Sequence, residues 1–328
     1  MTNNKVRIGV LGTGFGQNHA RIYTSFPDVE VVGIAGRDAQ KTQAAAQALG
    51  VPACPIDELL AHPDVDAIDL CLPTRVHPQY AIAALKQGKH VFVETPVAYS
   101  MIEATQMAQT AASCQRLLMV ALFGRYVSDF KVVHDVVAAG WIGRPKVVFA
   151  NRRTPPIWGD GWDENFILDL MLHDLDYVYW MLGKPQSVTS RGLPYGEKGW
   201  GQVFVALEYD GASAVVEGSG VMPMSFPFST SLRVVGEEGA IDLSWYWGGE
   251  YLISEIKLYP QQGAPEVLQA PRYDPYEAEC RHFVDSILGK AEPGILDIQA
   301  ACGSLNVALA ARASLEQGGK RIEIQPMG

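Results

Sequence analysis

The chain has 328 residues, enough for two domains that each bury a core of their own. Hydrophobic residues make up 48% and charged residues 19%, with no low-complexity tract, which excludes collagen-like, disordered and disulfide-stapled classes. Lys and Arg number 26 against 36 Asp and Glu; the formal charge of −10 is the wrong sign for a surface that attracts nucleic acid or anionic lipid.

Met1–Lys5 leads straight into the apolar strand Val6–Leu11, without the h-region and cleavage site of a secretory signal. No run approaches the roughly 18 apolar residues of a membrane span. A glycine loop and a helix from Asn18 to Ser25 follow, then strand Val29–Ala35 and helix Ala39–Leu49, stopped by Gly50. The alternation continues through strand Ala67–Leu72, helix Pro78–Gln87, strand His90–Glu94, helix Met101–Gln115 and strand Leu117–Leu122. Strands alternating with helices predict a parallel, doubly wound α/β sheet over residues 1–122, with ligands outside the carboxyl ends of its strands.

After a helix over Val127–Ala139 the rhythm changes. Strands are expected at Lys146–Arg152, Ser187–Gly192, Gln202–Tyr209, Ala212–Gly220, Thr230–Gly236, Gly239–Leu243 and Tyr251–Leu258, interrupted by one strong helix, Asn165–Leu182. Short turns such as Asp210-Gly211 predict antiparallel pairing, so residues 123–328 form an α+β domain with a large, mostly antiparallel open sheet. Helices Tyr276–Leu288 and Ile298–Gln317 close it. Cys54, Cys71, Cys114, Cys280 and Cys302 are odd in number and far apart, which argues against a disulfide framework or a zinc knot and points to a reducing cytoplasm.

Gly12-Thr13-Gly14-Phe15-Gly16 lies between the first strand and the first helix, where glycines permit a tight turn and the helix start offers free N–H groups to a pyrophosphate. This is the arrangement of a Rossmann dinucleotide site, with G-x-G-x-G spacing and Gln17 in the sixth position. At the end of the second strand, about 20 residues on, an acidic residue would meet a free ribose 2′-hydroxyl. Ala35-Gly36-Arg37-Asp38 stands there instead, followed by Lys41; Arg37 suits a 2′-phosphate and favours NADP, while Asp38 on the ribose keeps NAD as the alternative.

Taken in order, Gly12-Thr13-Gly14, Leu72-Pro73-Thr74 with His77, Gly88-Lys89-His90-Val91-Phe92-Val93-Glu94-Thr95-Pro96, Arg125-Tyr126, Gly140-Trp141-Ile142-Gly143 and Leu168–Asp176 resemble the Gfo/Idh/MocA oxidoreductases, relatives of glucose–fructose oxidoreductase and inositol dehydrogenase. The resemblance covers nearly the whole chain. It implies a nicotinamide cofactor on the first domain, near Leu72, Pro73, Thr74, His77 and Glu94, and a sugar, cyclitol or polyol against the second. It also implies a homodimer or homotetramer formed through the C-terminal sheet. The family's Glu-Lys-Pro tripeptide reads Glu94-Thr95-Pro96 here, so the lysine is replaced by a threonine too weakly acidic to do its proton work.

Asp169 and His173, at i and i+4, are expected on one helix face, with His173 exchanging the substrate proton and Asp169 orienting it or binding a neighbouring hydroxyl. A satisfied polar stripe is the bland alternative, and a metal set with Asp176 is poor for want of a second histidine or a cysteine. Arg125, Trp158 and Trp162 are expected to shape the substrate pocket, and Trp245-Tyr246-Trp247 to serve core or interface packing. Three functions stay open at this point. They are a nicotinamide-dependent oxidoreductase of sugar-like alcohols, a glycosidase that works by transient oxidation, and a non-catalytic sensor of cofactor or sugar.

Overall fold

The computed structural model describes residues 5–156, 165–197, 199–247 and 252–325, which divide into two compact units. The first opens with β1 (Val6–Leu11), α1 (Gly16–Ser25), β2 (Val29–Ala35), α2 (Ala39–Leu49), α3 (Ile56–Ala61), β3 (Ala67–Leu70), α4 (His77–Lys86), β4 (His90–Val93), α5 (Met101–Cys114) and β5 (Leu118–Val120). Its five strands run parallel in the order β2-β1-β3-β4-β5. β3 is buried along its whole length, as a central strand covered by helices on both faces must be. The helix α3 was not anticipated; its six residues are too few to show a period.

The second unit contains α6 (Ser128–Ala138), β6 (Pro145–Arg153), a π-helical turn at Ile167–Met171 running into α7 (Leu172–Leu182), and then β7 (Ser187–Tyr195), β8 (Gly199–Tyr209), β9 (Ala212–Ser219), β10 (Phe228–Gly236), β11 (Gly239–Trp247), β12 (Leu252–Pro260) and β13 (Glu266–Leu268). These strands lie in one sheet in the order β13-β12-β11-β10-β6-β9-β8-β7, with a short β14 (Ile322–Glu323) beyond β7. Neighbours pair antiparallel except β6 with β9, which pair parallel. Strand alternation splits the sheet's residues into two sets. Val148, Ala150, Leu232, Val234, Ile241, Leu243, Val205 and Val216 are buried on one face, while Phe149, Phe204, Tyr246 and Ile253 are 40–56% exposed on the other.

The chain then returns to the first unit. Residues Tyr273–Cys302 count with it, so the boundary is not a single cut after residue 122: the expected closing helix, here α8 (Pro275–Ile287), packs on the parallel-sheet unit. Asp274 caps its start by accepting from Tyr276 N and Glu277 N. Phe283 stacks on Phe92 of β4 at 5.1 Å, and Arg281 makes a two-armed ion pair with Asp28. α9 (Ile298–Glu316) follows; from Gly303 it belongs to the second unit, where Gly303 lies against the Tyr179 ring so tightly that no side chain fits.

Candidate functional site

The glycine turn is built by the first unit's own backbone. Gly12 has φ +135° and a Cβ there would collide with the Cys71 carbonyl, so only glycine fits. Gly14, by contrast, has nothing within 4 Å of where a Cβ would lie; its bareness leaves room for a ligand rather than for a neighbour. Phe15 occupies the N-cap of α1 without a side-chain cap, and no acidic residue stands in the first turn. Gln17 N and Asn18 N turn back onto Gly14 O and Phe15 O, so what the helix start offers an anion is chiefly its partial positive charge, with no acidic side chain in the first turn to cancel it. These features fit a dinucleotide pyrophosphate. Thr13 approaches Gly36 at the end of β2, where a Cβ would meet its side chain at 2.8 Å, so the turn and the β2 terminus are locked together.

At that terminus Asp38 is committed to α2: its Oδ1 accepts from Gln40 N at 2.9 Å and Lys41 N at 3.1 Å. Arg37 is exposed, and no hydrogen bond or ion pair of its side chain is found among the described residues. Of the two residues weighed for the ribose, Asp38 is a helix cap and Arg37 is the uncommitted charge.

Further along the carboxyl ends, Leu72 and Thr74 are buried and Pro73 is exposed. His77 lies beneath them, its Nδ1 2.9 Å from Pro96 O and its Nε2 2.6 Å from Leu72 O. Burial holds its pKa below the usual value. The ring lies between two backbone carbonyls and, when neutral, donates to one of them at a time, so His77 braces the two loops and shapes the cradle instead of facing it. Thr95 donates its hydroxyl to Ala121 O at 2.8 Å, and its N–H donates to Glu94 Oε2 at 3.1 Å. The Thr95 side chain therefore braces the β4 and β5 termini. Arg125 is buried, and its Nη1 donates to Ile295 O at 2.8 Å, stitching the turn after β5 to the returning segment.

Behind the glycine turn lies a polar cluster that the sequence reading missed. His19 on α1 is fully buried, with Nδ1 2.9 Å from Asp69 Oδ2 and Nε2 3.4 Å from Glu94 Oε1, an ion-pair distance without hydrogen-bond geometry. Tyr23 donates to Asp69 Oδ2 at 2.7 Å and Cys71 to Asp69 Oδ1 at 2.9 Å. Burial opposes charge on the imidazole, but attraction to Asp69, Glu94 and Glu279 prevails and raises its pKa to about 10. For Glu94, burial dominates over the pull of His19 and raises the carboxyl to about 7. Asp69 amid the apolar Ala67-Ile68 and Leu70 was the available signal. Among the described residues His19, Asp69 and Cys71 form the set close enough to suggest metal ligation, but their donor atoms are spent on one another.

In the second unit the helix bearing Asp169 and His173 is not a plain α-helix. Ile167–Met171 is π-helical, a turn that frequently marks functional positions. Met171 and Phe166 press on Gly218 of β9, where a Cβ has no room, so the π turn rests directly on the sheet. Asp169 is exposed and His173 half-buried. Burial first, and the charge of Arg152 second, pull the imidazole down to about 3, so His173 is neutral across the physiological range. Arg152 on the buried sheet face pairs with Asp174 at 2.6 Å and lies over the Phe228 ring at 5.5 Å. Trp158 and Trp162 fall outside the described residues. Trp245 packs edge-on against Phe228, while Tyr246 and Trp247 are exposed.

Comparison with known proteins accords with both halves. Residues 6–122 match the model of the oxidoreductase family with an NAD-binding Rossmann fold, and residues 130–242 match the GFO/IDH/MocA C-terminal domain. Scyllo-inositol 2-dehydrogenase (NAD(+)) of Bacillus subtilis is 27% identical over 96% of this chain and 95% of its own length. Myo-inositol 2-dehydrogenase of Thermotoga maritima is 25% identical over 95% of this chain and 97% of its own. Among solved structures, UDP-N-acetylglucosamine 3-dehydrogenase GnnA from Acidithiobacillus ferrooxidans superposes with a TM-score of 0.83 at 24% identity, covering 96% of this chain and 99% of that one, a likeness of fold. The chain belongs to the Gfo/Idh/MocA family of oxidoreductases, with a nucleotide-binding Rossmann unit and the family's C-terminal domain.

Proposed function

We propose that the protein is an NAD(P)-dependent dehydrogenase or reductase that moves a hydride between nicotinamide and a carbinol carbon of a sugar, cyclitol or related polyol. The observation that carries this reading is the cradle at Gly12–Gly16, sterically open at Gly14 and electrostatically open at the α1 N-terminus. The full-length likeness to inositol dehydrogenases supports the substrate class. Gly12, Thr13, Gly14, Phe15 and Gly16 would hold the pyrophosphate, Leu72, Pro73 and Thr74 would line the path across β3, and Glu94 would close it at β4. Arg37, uncommitted while Asp38 caps α2, would take a 2′-phosphate with help from Lys41, which favours NADP over NAD.

The bound nicotinamide supplies the hydride acceptor or donor. In the second unit, neutral His173 hydrogen-bonds the reacting oxygen, and exposed Asp169 accepts from a neighbouring hydroxyl. Arg152 and Asp174 hold that turn of helix in place. Thr95 is a positioning residue, because its hydroxyl is already given to Ala121. The exposed face with Phe149, Phe204, Tyr246 and Ile253 would bury against a second copy, giving a homodimer or homotetramer. The five cysteines are free thiols, which fits a cytoplasmic setting.

The test is nicotinamide reduction by the full chain, with NAD and NADP in turn, on myo-inositol, scyllo-inositol, D-glucose and D-galactose. The expected outcome is reduction with at least one of them, and a loss of about 10²–10³-fold in kcat for His173→Ala. A protein that binds the dinucleotide but reduces it with no polyol contradicts the reading.

A further inference from the structure

The usual dinucleotide-binding turn carries three glycines, the third of which lets the helix pack closely on the strand. In this chain Gly16 does that packing one position early: a Cβ on it would stand 3.1 Å from Val10 Cγ1 and 3.2 Å from Cys71 Cβ. The sixth position is thereby released for a side chain, and Gln17 fills it. Its amide Nε2 donates to Thr13 O at 2.6 Å. Because that acceptor is a carbonyl, only the NH2 end of the amide can face it.

We propose that Gln17 is a positioning residue for the cofactor. By holding the Thr13 carbonyl it keeps the Thr13–Gly14 peptide turned so that the Gly14 N–H faces the pyrophosphate of the dinucleotide. This rests on the dinucleotide cradle of the dehydrogenase reading above and adds what sets the direction of its backbone donor.

The rest of the turn is anchored by other means. Gly12 N donates to Ala35 O at 2.8 Å, the Thr13 side chain fills the space beside Gly36, and the Phe15 ring meets His19 and Tyr276 edge-on, each at 5.1 Å. The Thr13–Gly14 peptide has no such anchor on its Gly14 side, where nothing lies within 4 Å of the place of a Cβ. A glycine readily accepts rotation of the peptide that precedes it, so this unit has two orientations open to it. The peptide is trans, and its carbonyl and N–H therefore point in opposite directions. With Thr13 O drawn to Gln17, the Gly14 N–H points away from that side chain, and no acceptor for it is found among the described residues. The reversed peptide would turn a carbonyl oxygen toward an anion and strip the Gln17 amide of its acceptor. Gln17 thus selects the orientation an anion needs before the anion arrives, which lowers the cost of binding.

Calorimetry on the full chain with NAD and NADP, against Gln17→Met, tests the role; methionine keeps the length and loses the donor. Both cofactors share the pyrophosphate, so both should bind about 10-fold more weakly and by the same factor. On any polyol that is turned over, KM for the dinucleotide should rise while kcat stays unchanged. In protein labelled with 15N-glycine, the Gly14 amide signal, identified by its loss in Gly14→Ala, should shift downfield when NADP is added to the wild type and shift less in Gln17→Met. Binding of both cofactors within about twofold of the wild type, or a Gly14 amide that responds to NADP identically in the two proteins, overturns the assignment. A wild type that binds neither dinucleotide brings down the cradle and this role with it. A wild type that binds both and oxidises no polyol removes the dehydrogenase reading alone, and the binding and amide measurements still decide the role of Gln17.

Discussion

Arg152 holds Asp174 with two hydrogen bonds, Nε to Oδ2 at 2.6 Å and Nη2 to Oδ1 at 3.3 Å, and both side chains are buried. The pair joins β6 to α7 in the turn that carries His173. Burial outweighs Arg152 at Asp174 and leaves its carboxyl above the usual range, so the pair is held by packing as much as by charge. Arg152→Met strands a buried carboxyl and is expected to cost about 3–5 kcal/mol, measured by urea denaturation. It should also raise the pKa of His173, followed by NMR of the ring protons, because one of the two causes that depress it is removed. The double variant Arg152→Met with Asp174→Leu should recover most of the stability.

Gly12, walled in by the Cys71 carbonyl, and Gly14, with open space beside it, give a paired prediction. Gly12→Ala forces a side chain onto the Cys71 carbonyl at a positive φ and should lower stability by at least about 1–3 kcal/mol. Gly14→Ala meets no protein atom and should melt within about 0.5–1 kcal/mol of the wild type, yet bind dinucleotide far more weakly. Thermal melting with and without NADP separates the two.

Arg37→Ala should weaken NADP about 10- to 100-fold, the value of one or two charge-assisted hydrogen bonds, and leave NAD nearly unchanged. Equal losses for both cofactors, measured by calorimetry, would show that Arg37 does not read the 2′ position.

His90 gives a pH dependence of known sign. Burial, with the nearby Arg116 charge, depresses its pKa from 6.5 to about 4, while its Nδ1 accepts from Leu117 N. The unfolded chain binds a proton there before the folded chain does. Its contribution is therefore present above pH 6.5 and is lost as pH falls toward 4, with a slope of at most about 1.4 kcal/mol per pH unit. Glu94, raised from 4.5 to about 7, acts with the opposite sign in an overlapping window, so total stability alone does not isolate His90. The difference between wild type and His90→Asn, which keeps the acceptor, does, and it should shrink on acidification.

Phe149 and Ile253 lie on the exposed face of the large sheet among the ion pairs Arg233–Asp242 and Arg153–Glu217. Phe149→Lys together with Ile253→Lys should lower the oligomeric state seen by sedimentation without changing the melting of the separated subunit. A wild type that sediments as a monomer would refute the interface.

The architecture was legible because its signals are local. Glycine turns, apolar runs and helix caps announced the parallel unit, and two-residue turns announced the large sheet. Insertion of β6 between β10 and β9 was not, since a pairing as distant in sequence as Val147 with Ser213 leaves no local mark. The same holds for α8, whose apolar positions Cys280, Phe283 and Val284 predict a buried face but not which core receives it. At the site, residue types were readable and commitments were not. His77, Thr95 and Arg125 look available in the sequence, yet each is bound to a distant carbonyl. The π turn before α7 was equally hidden, because an i, i+4 spacing suits both helix types.

The return of Tyr273–Cys302 also bears on how the chain matures during synthesis. Residues through Tyr126 emerge first but lack the helix that supplies Phe283 to Phe92 and Arg281 to Asp28. Nascent chains held on the ribosome before that helix appears should bind nucleotide poorly, and a fragment ending at Leu122 should aggregate through the uncovered Phe92 side of its sheet. Competence of the first unit is thus postponed until the segment Tyr273–Cys302 has been made.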